Sequence, residues 1–216
     1  MERFGFAIKV NEGKKKDFRT ALGKVWKELT VFLDESGIKN FSLWNVQDIV
    51  FGYCEIPDPK KLTGEETACV DKLIKEMEHT FTWISTPGQN MCLMYHDYGM
   101  VRASKELIRH RVFVTKLKAG CEEEYKRRHD RLIEQRGNRV NPGPDSNFSI
   151  FCAGGYIFGY NEIDVTMEQE RTQEEINADI AWENKQLEIM DWLTDDVDWI
   201  TGENHLNIVR LAWHEG

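Results

Sequence analysis

No apolar run in this chain approaches the ~20 residues that a membrane-spanning helix needs. Positive charge is also short: 28 Lys and Arg stand against 37 Asp and Glu, a formal charge of −9. Phosphate backbones are held by basic faces, so nucleic acid is not an expected partner. The stretch "GKKK" at 13–16 is a local exception and reads as a solvated first helical turn. Cysteine is sparse and unpatterned. Cys54, Cys69, Cys92, Cys121 and Cys152 form no C-x-x-C pair and no Cys/His ligand spacing, and their number is odd. This predicts free thiols in a reducing compartment and no metal site. The opening "MERFGFAIKV" is strand-like and carries charges early, unlike a signal peptide. These absences predict a cytoplasmic protein without membrane contact. The 216 residues, 41% hydrophobic and 30% charged, suffice for one large domain or two small ones.

The chain is written twice. "NFSLWNVQDIVFGYCEI" (40–56) aligns without a gap on "NFSIFCAGGYIFGYNEI" (147–163), residue n on n+107. The same register joins "FAIKVNEGKKKDF" (6–18) to "FVTKLKAGCEEEY" (113–125). Further on, "FTWIS" (81–85) aligns with "VDWIT" (197–201), and "CLMYHDYG" (92–99) with "VRLAWHEG" (209–216). Each half reads alike. In the first, 4–10 is a strand and 14–34 a helix with an apolar stripe at Phe18, Leu22, Val25, Trp26 and Leu29. Two strands around the turn "NVQD" follow, then a helix over 64–81 and a last strand over 90–96. The order is βαββαβ, a ferredoxin-like unit of the α+β class. The predicted division is repeat 1 over 1–98, a linker over 99–107 and repeat 2 over 108–216. An antiparallel sheet with helices on one face needs cover on the other, so the two sheets are expected to pack face to face within the chain.

Repeat 1 serves as a control for repeat 2. In "CEEEYKRRHDRLIEQRG" (121–137), Tyr125 falls on Phe18 and His129 on Leu22. A phenol and an imidazole thus occupy core-stripe positions, where unpaired polar groups cost about 1–3 kcal/mol each. They either reach the surface or meet partners. Where repeat 1 continues as helix through "ELTVFLDE", repeat 2 has "RGNRVNPGPDS" (136–146), whose prolines and glycines predict a loop. The lost helical turns predict open space beside His129. Tyr160 and Glu162 have counterparts in Tyr53 and Glu55, which reads as architecture. The segment 169–186 reads as an inserted acidic helix or lid, with Trp182 lacking a counterpart.

The motif "EEEYKRRH" (122–129) and the strand pair at 147–163 resemble the L-rhamnose mutarotase family, with repeat 1 matching in outline. The resemblance implies a fold in which ferredoxin-like units pack sheet to sheet as a dimeric α/β barrel, here as a pseudo-dimer within one chain. It implies interconversion of the α and β anomers of L-rhamnose or a related deoxy sugar, with no cofactor and no metal. His129 takes the place of the family's proton donor, and Tyr125 that of a sugar-binding residue. Phe148 stands where the family has a second sugar-binding tyrosine. The family's paired tryptophans fall, by the repeat register, on Ile189 and Met190, so Trp182 or Trp192 is expected to supply an indole from the same helix. Repeat 1 carries Leu22 and Phe18 at the site positions and is expected to be non-catalytic. Mutarotation also needs a second proton-transfer group, for which Tyr125, Glu162 and water stand open. Two other readings remain: a non-catalytic sugar-binding or accessory protein, favoured by Phe148 and the missing tryptophan pair, and a different reaction on the same scaffold, such as a cofactor-independent oxygenase.

Overall fold

The computed structural model describes residues 1–59, 64–194 and 207–216. Repeat 1 forms β1 (Glu2–Val10), α1 (Lys15–Glu35), β2 (Lys39–Val46), β3 (Ile49–Ile56), α2 (Gly64–Met77), the short β4 (Phe81–Trp83) and β5 (Cys92–Gly99). Repeat 2 forms β6 (Ile108–Leu117), α3 (Glu122–Arg136), β7 (Asp145–Ala153), β8 (Tyr156–Asp164), α4 (Gln173–Gln186), β9 (Met190–Trp192) and β10 (Val209–His214). The protein is α+β, with two five-stranded antiparallel sheets ordered β10-β2-β3-β1-β4 and β5-β7-β8-β6-β9. Four strands of each sheet and its two helices make a ferredoxin-like unit; the fifth strand sits at the edge.

The fourth strand of each unit is the three-residue β4 or β9, not the longer strand expected at 90–96. Once β4 pairs with β1, both edges of β1 are occupied. Strand β5 therefore adds to the open edge of β7, and β10 to the open edge of β2. The compact units are accordingly Met1–Met91 with Val209–Gly216, and Cys92–Ile208. The last strand of each sequence repeat is folded into the unit built mainly from the other.

Strand register also corrects the alignment of the repeats. Ile8 pairs with Trp83 and Thr115 with Trp192, so "FTW" at 81–83 answers to "MDW" at 190–192. The helices α2 and α4, both 14 residues, match end for end with the same offset of 109. The segment around 169–186 is therefore the second helix of the unit, not an inserted lid, and Trp182 has a counterpart, Leu73. The expected partner of 81–85, residues 197–201, lies outside the described residues. The offset of 117 for the last strands is kept, because β5 and β10 meet β7 and β2 in equivalent registers, each with one bulge.

In the first unit, Phe18, Leu22 and Val25 of α1 and Leu73 and Met77 of α2 pack on Ile8, Val10, Leu43 and Val50 of the sheet. The opposite sheet face is buried as well, through Ile49, Phe51, Tyr53 and Glu55. Its polar members are satisfied locally: Asn40 Nδ2 donates to Glu55 Oε1 at 2.9 Å and Tyr53 Oη donates to the same oxygen at 3.4 Å. The second unit repeats this with Asn147 on Glu162 at 3.1 Å and Tyr160 on Glu162 at 3.0 Å, and adds Lys105 Nζ at 2.7 Å. Thus the recurring Asn-Phe-Ser and Tyr-x-Glu residues are a buried frame, as read from the repeats. Gly159 is needed because the Phe113 ring lies on it: a Cβ there would stand 2.1 Å from the ring. Gly52 under Phe6 shows the same arrangement. All five cysteines are free, and burial pushes the Cys54 and Cys152 thiols up to about 12. Among the described residues no helix is long and apolar enough to cross a membrane.

Candidate active site

Helix α3 has Glu122, Glu123 and Glu124 in its first turn and Arg136 in its last, matching the helix dipole at both ends. It stops at Gly137, whose φ of 58° suits glycine, and is 15 residues long where α1 has 21. The Pro/Gly loop predicted at 136–146 accounts for the difference. Arg128 is buried and docks α3 to the end of α4. Its Nε donates to Glu124 Oε1 at 2.7 Å and its Nη2 to Glu188 Oε2 at 2.9 Å, while Nη1 reaches the Lys185 carbonyl. This fixes the helix face that carries Tyr125 and His129.

That face points inward. Tyr125 is 2% exposed and His129 3%. The two rings stack with centroids 4.2 Å apart. Trp182 of α4 meets the imidazole edge-on at 5.4 Å, and Tyr95 of β5 does so at 5.5 Å. Phe148 of β7 touches Tyr95 at 5.4 Å and Phe113 of β6 at 6.4 Å. Tyr95 is held in place from α3: the Arg136 guanidinium lies over its ring at 6.0 Å, pairs with Asp97 at 3.2 Å and donates to the His96 carbonyl at 2.7 Å.

The imidazole is chemically defined by these contacts. His129 Nδ1 lies 2.9 Å from the Tyr125 backbone oxygen, which can only accept, so Nδ1 carries the proton. The other nitrogen, Nε2, is then the lone-pair site of a neutral ring. Burial lowers the His129 pKa to about 4, against the opposing pull of the Tyr125 carbonyl and Asp130. Burial, followed by the charge of Glu183, drives the Tyr125 phenol far above its ordinary range. Glu183 is half-buried next to Trp182, and burial raises its carboxyl above the usual range, with Arg111 pulling the other way.

Repeat 1 carries apolar residues at the positions of this cluster. By the corrected registers Phe18, Leu22, Leu73 and Ile74 stand where the second unit has Tyr125, His129, Trp182 and Glu183. Ala212 stands in place of Tyr95, and Phe4 in place of Arg111. All six residues belong to, or pack on, the apolar core of the first unit. Deeper in the second unit, Thr115 replaces Ile8 and Gln186 replaces Met77, and the Thr115 hydroxyl and both Gln186 amide atoms are buried without a hydrogen-bond partner. The helix–sheet interface of the second unit is thus polar or aromatic at positions on two helices and two strands where that of the first unit is apolar. The sequence model of the L-rhamnose mutarotase family matches residues 3–91 and again 110–207. The chain belongs to the L-rhamnose mutarotase family. It carries two copies of the family domain in tandem. No curated protein and no solved structure matches it significantly.

Of the residues expected from the mutarotase resemblance, the structure brings Tyr125, His129 and Trp182 into direct contact and adds Phe148 through Tyr95. Trp192 is not on the helix with Trp182, as expected, but on strand β9, where it packs against the same core. Ile189 and Met190 likewise lie beyond the helix end. Replacing the offset of 116 by 109 moves the family's tryptophan-pair position from them to Trp182 and Glu183, so one indole is kept. Tyr95, Arg111 and Glu183 were missed. Tyr95 against Ala212 was visible in the repeat comparison, but its strand had been assigned to the wrong sheet. The expected open space beside His129 is also corrected, because Tyr95 and Trp182 cover the imidazole in place of the lost helical turns. A cavity of about 800 Å³ in this unit runs instead along the outer face of α3, past Glu123, Lys126 and Asp130. Among the described residues no cluster of His, Cys, Asp or Glu is arranged to hold a metal.

Proposed function

We propose that this protein interconverts the α and β anomers of L-rhamnose or a related deoxy sugar by acid/base ring opening, in the cytoplasm, at a single site built on His129. The observation that carries the reading is a neutral imidazole of fixed tautomer, set among aromatic rings, where the sister repeat has a leucine in its core. Family membership supplies the reaction class. Neutral Nε2 can take the proton of the anomeric hydroxyl and return it after the carbonyl face has been exchanged. Tyr125, Tyr95, Trp182 and Phe148 supply flat apolar surface for the sugar's C–H faces, and Trp192 backs them. Residues 1–98, apart from β5, serve as the non-catalytic copy, 99–107 as the connection, and 108–216 as the copy bearing the site. The chemistry moves protons only and asks for no cofactor. With His129 3% exposed, the rings of Tyr95 or Trp182 must move aside to admit a sugar.

The test is anomer exchange on L-rhamnose by NMR, at a pH where spontaneous exchange is slow. Wild type should exceed buffer, and His129→Ala should lose about 10²–10⁴-fold while remaining folded. A His129→Ala protein with full activity would refute the assignment of the site. The closed imidazole and the missing hydroxyl of Phe148 favour a second reading, a non-catalytic sugar-binding protein. That reading expects saturable sugar binding with exchange no faster than buffer.

A further inference from the structure

We infer that Glu183 is the second proton-transfer group of this site, acting on the sugar ring oxygen while His129 acts on the anomeric hydroxyl. The inference rests on the mutarotase reading above. Three alternatives were open, and the structure narrows them. Glu162 projects from the wrong face of the sheet. It lies opposite His110 on β6, whereas the helix-facing side of β6 carries Arg111, Phe113 and Thr115. It is also held in an ion pair with Lys105 and in hydrogen bonds from Asn147 and Tyr160. The Tyr125 phenol is held too far above neutral pH to give up its proton readily. Water remains, but a side chain is available.

Glu183 follows Trp182, whose indole touches the His129 ring. Its charge acts on the Tyr125 phenol, which is itself stacked on His129. The carboxyl is half-buried, and among the described residues it makes no hydrogen bond and no salt bridge. The sister helix has Ile74 in this place, packed against the core. An acid therefore stands in place of an aliphatic side chain in the same unit that carries the imidazole. The two shifts cross, the imidazole falling from 6.5 to about 4 while the carboxyl rises above its ordinary value, which suits one to start as base and the other as acid.

The steps balance. His129 Nε2 takes the proton from O1 as the C1–O5 bond breaks, and O5 takes the proton of the Glu183 carboxyl. The product is the open-chain aldehyde with a free O5 hydroxyl. Rotation about C1–C2 presents the other carbonyl face. Glu183 carboxylate then removes the O5 proton, O5 attacks C1, and O1 recovers its proton from the His129 imidazolium. Nothing is oxidised or reduced, and both side chains return to their starting states.

The experiment compares the full-length wild type with Glu183→Gln, Glu183→Asp and Glu183→Ile by anomer exchange on L-rhamnose across pH 4.5–8. The charged groups acting on Glu183 are Arg111 of β6 and Asp179 of its own helix, and Glu183 in turn acts on Tyr125 of α3. Because the acid form is needed first, the wild-type rate should fall as pH rises through the raised Glu183 pKa. Glu183→Gln should lose about 10²-fold or more and lose that fall with pH, while Glu183→Asp recovers part of the rate. Should Glu183→Gln not fold, Glu183→Ile, which carries the sister repeat's residue, gives the same comparison. A Glu183→Gln or Glu183→Ile protein with the wild-type rate and pH profile overturns the inference and leaves the mutarotase reading standing. A wild type no faster than buffer overturns both.

Discussion

Replacing His129 by leucine isolates the thermodynamic signature of the buried imidazole. Leu22 occupies the same place in the sister helix and is 8% exposed, so the side chain suits the position. The Tyr125 carbonyl loses the Nδ1 proton but keeps its partner within α3, and no buried group is orphaned. The imidazole titrates at about 4 in the folded protein and near its ordinary value once unfolded. Between those values the unfolded chain binds a proton that the folded chain refuses. The His129 contribution is therefore fully present at neutral pH and is lost as pH falls from 6.5 to about 4. Two and a half pH units at about 1.36 kcal/mol each make this about 3 kcal/mol. His129→Leu should abolish that loss, so its advantage over wild type should widen by about this amount as pH falls from 7 to 4. Chemical denaturation of both proteins at half-unit pH steps measures it, with all carboxylates and the other five histidines common to the pair. Parallel stability curves across this range would show that His129 is not buried neutral, and the base assigned to Nε2 would lose its basis.

The two glycines beneath aromatic rings offer a matched pair. Gly159→Ala and Gly52→Ala each push a Cβ to 2.1 Å from a phenylalanine ring and should each cost about 1–3 kcal/mol, read by thermal melts. Only Gly159→Ala should also slow anomer exchange, because Phe113 backs Phe148 in the site. Leu22→Ala should cost roughly 2–5 kcal/mol in denaturation experiments without altering the rate of the folded enzyme. Lys105→Met leaves the Glu162 carboxylate buried without its cation and should cost about 3–5 kcal/mol, most of it recovered by adding Glu162→Gln. Tyr125→Phe, which copies Phe18, should weaken sugar binding more than it slows turnover, as separated by a KM-against-kcat comparison.

Most of the scaffold was legible because it is encoded by local patterns written twice. Alternation set the long strands, the apolar stripe set α1, and Gly137 ended α3 early. Identity between repeats at Asn147, Tyr160 and Glu162 marked the buried frame, and difference between repeats at Tyr125 and His129 marked the candidate site. What failed was pairing over distance. A strand's edge preference depends on which edges are already filled, and "FTW" is too short for its pattern to announce a strand. Reading past it shifted the register of α4 by seven residues. That single slip hid the equivalence of Leu73–Ile74 with Trp182–Glu183, and with it the half-buried acid on α4. Exposure of His129 was misjudged for a related reason: the ring covering it, Tyr95, comes from 34 positions earlier in the chain.

The exchanged strand bears on what the copy without an imidazole contributes to the other. Strand β5 belongs by sequence to the first repeat, yet it forms the edge of the second sheet and places Tyr95 against His129. Arg136 of α3 holds that strand through Asp97 and the His96 carbonyl, so the second repeat keeps a dedicated contact for a strand it does not encode. In the other direction, β10 closes the first sheet, and its Ala212 leaves the apolar core undisturbed. The first unit has hydrocarbon at the matching positions, where Phe18, Leu22 and Leu73 fill its core. Without β5 the second unit would lose the Tyr95 ring from His129 and would expose the edge of β7. The strand exchange therefore ties the polar cluster of the second unit to a strand encoded by the first repeat.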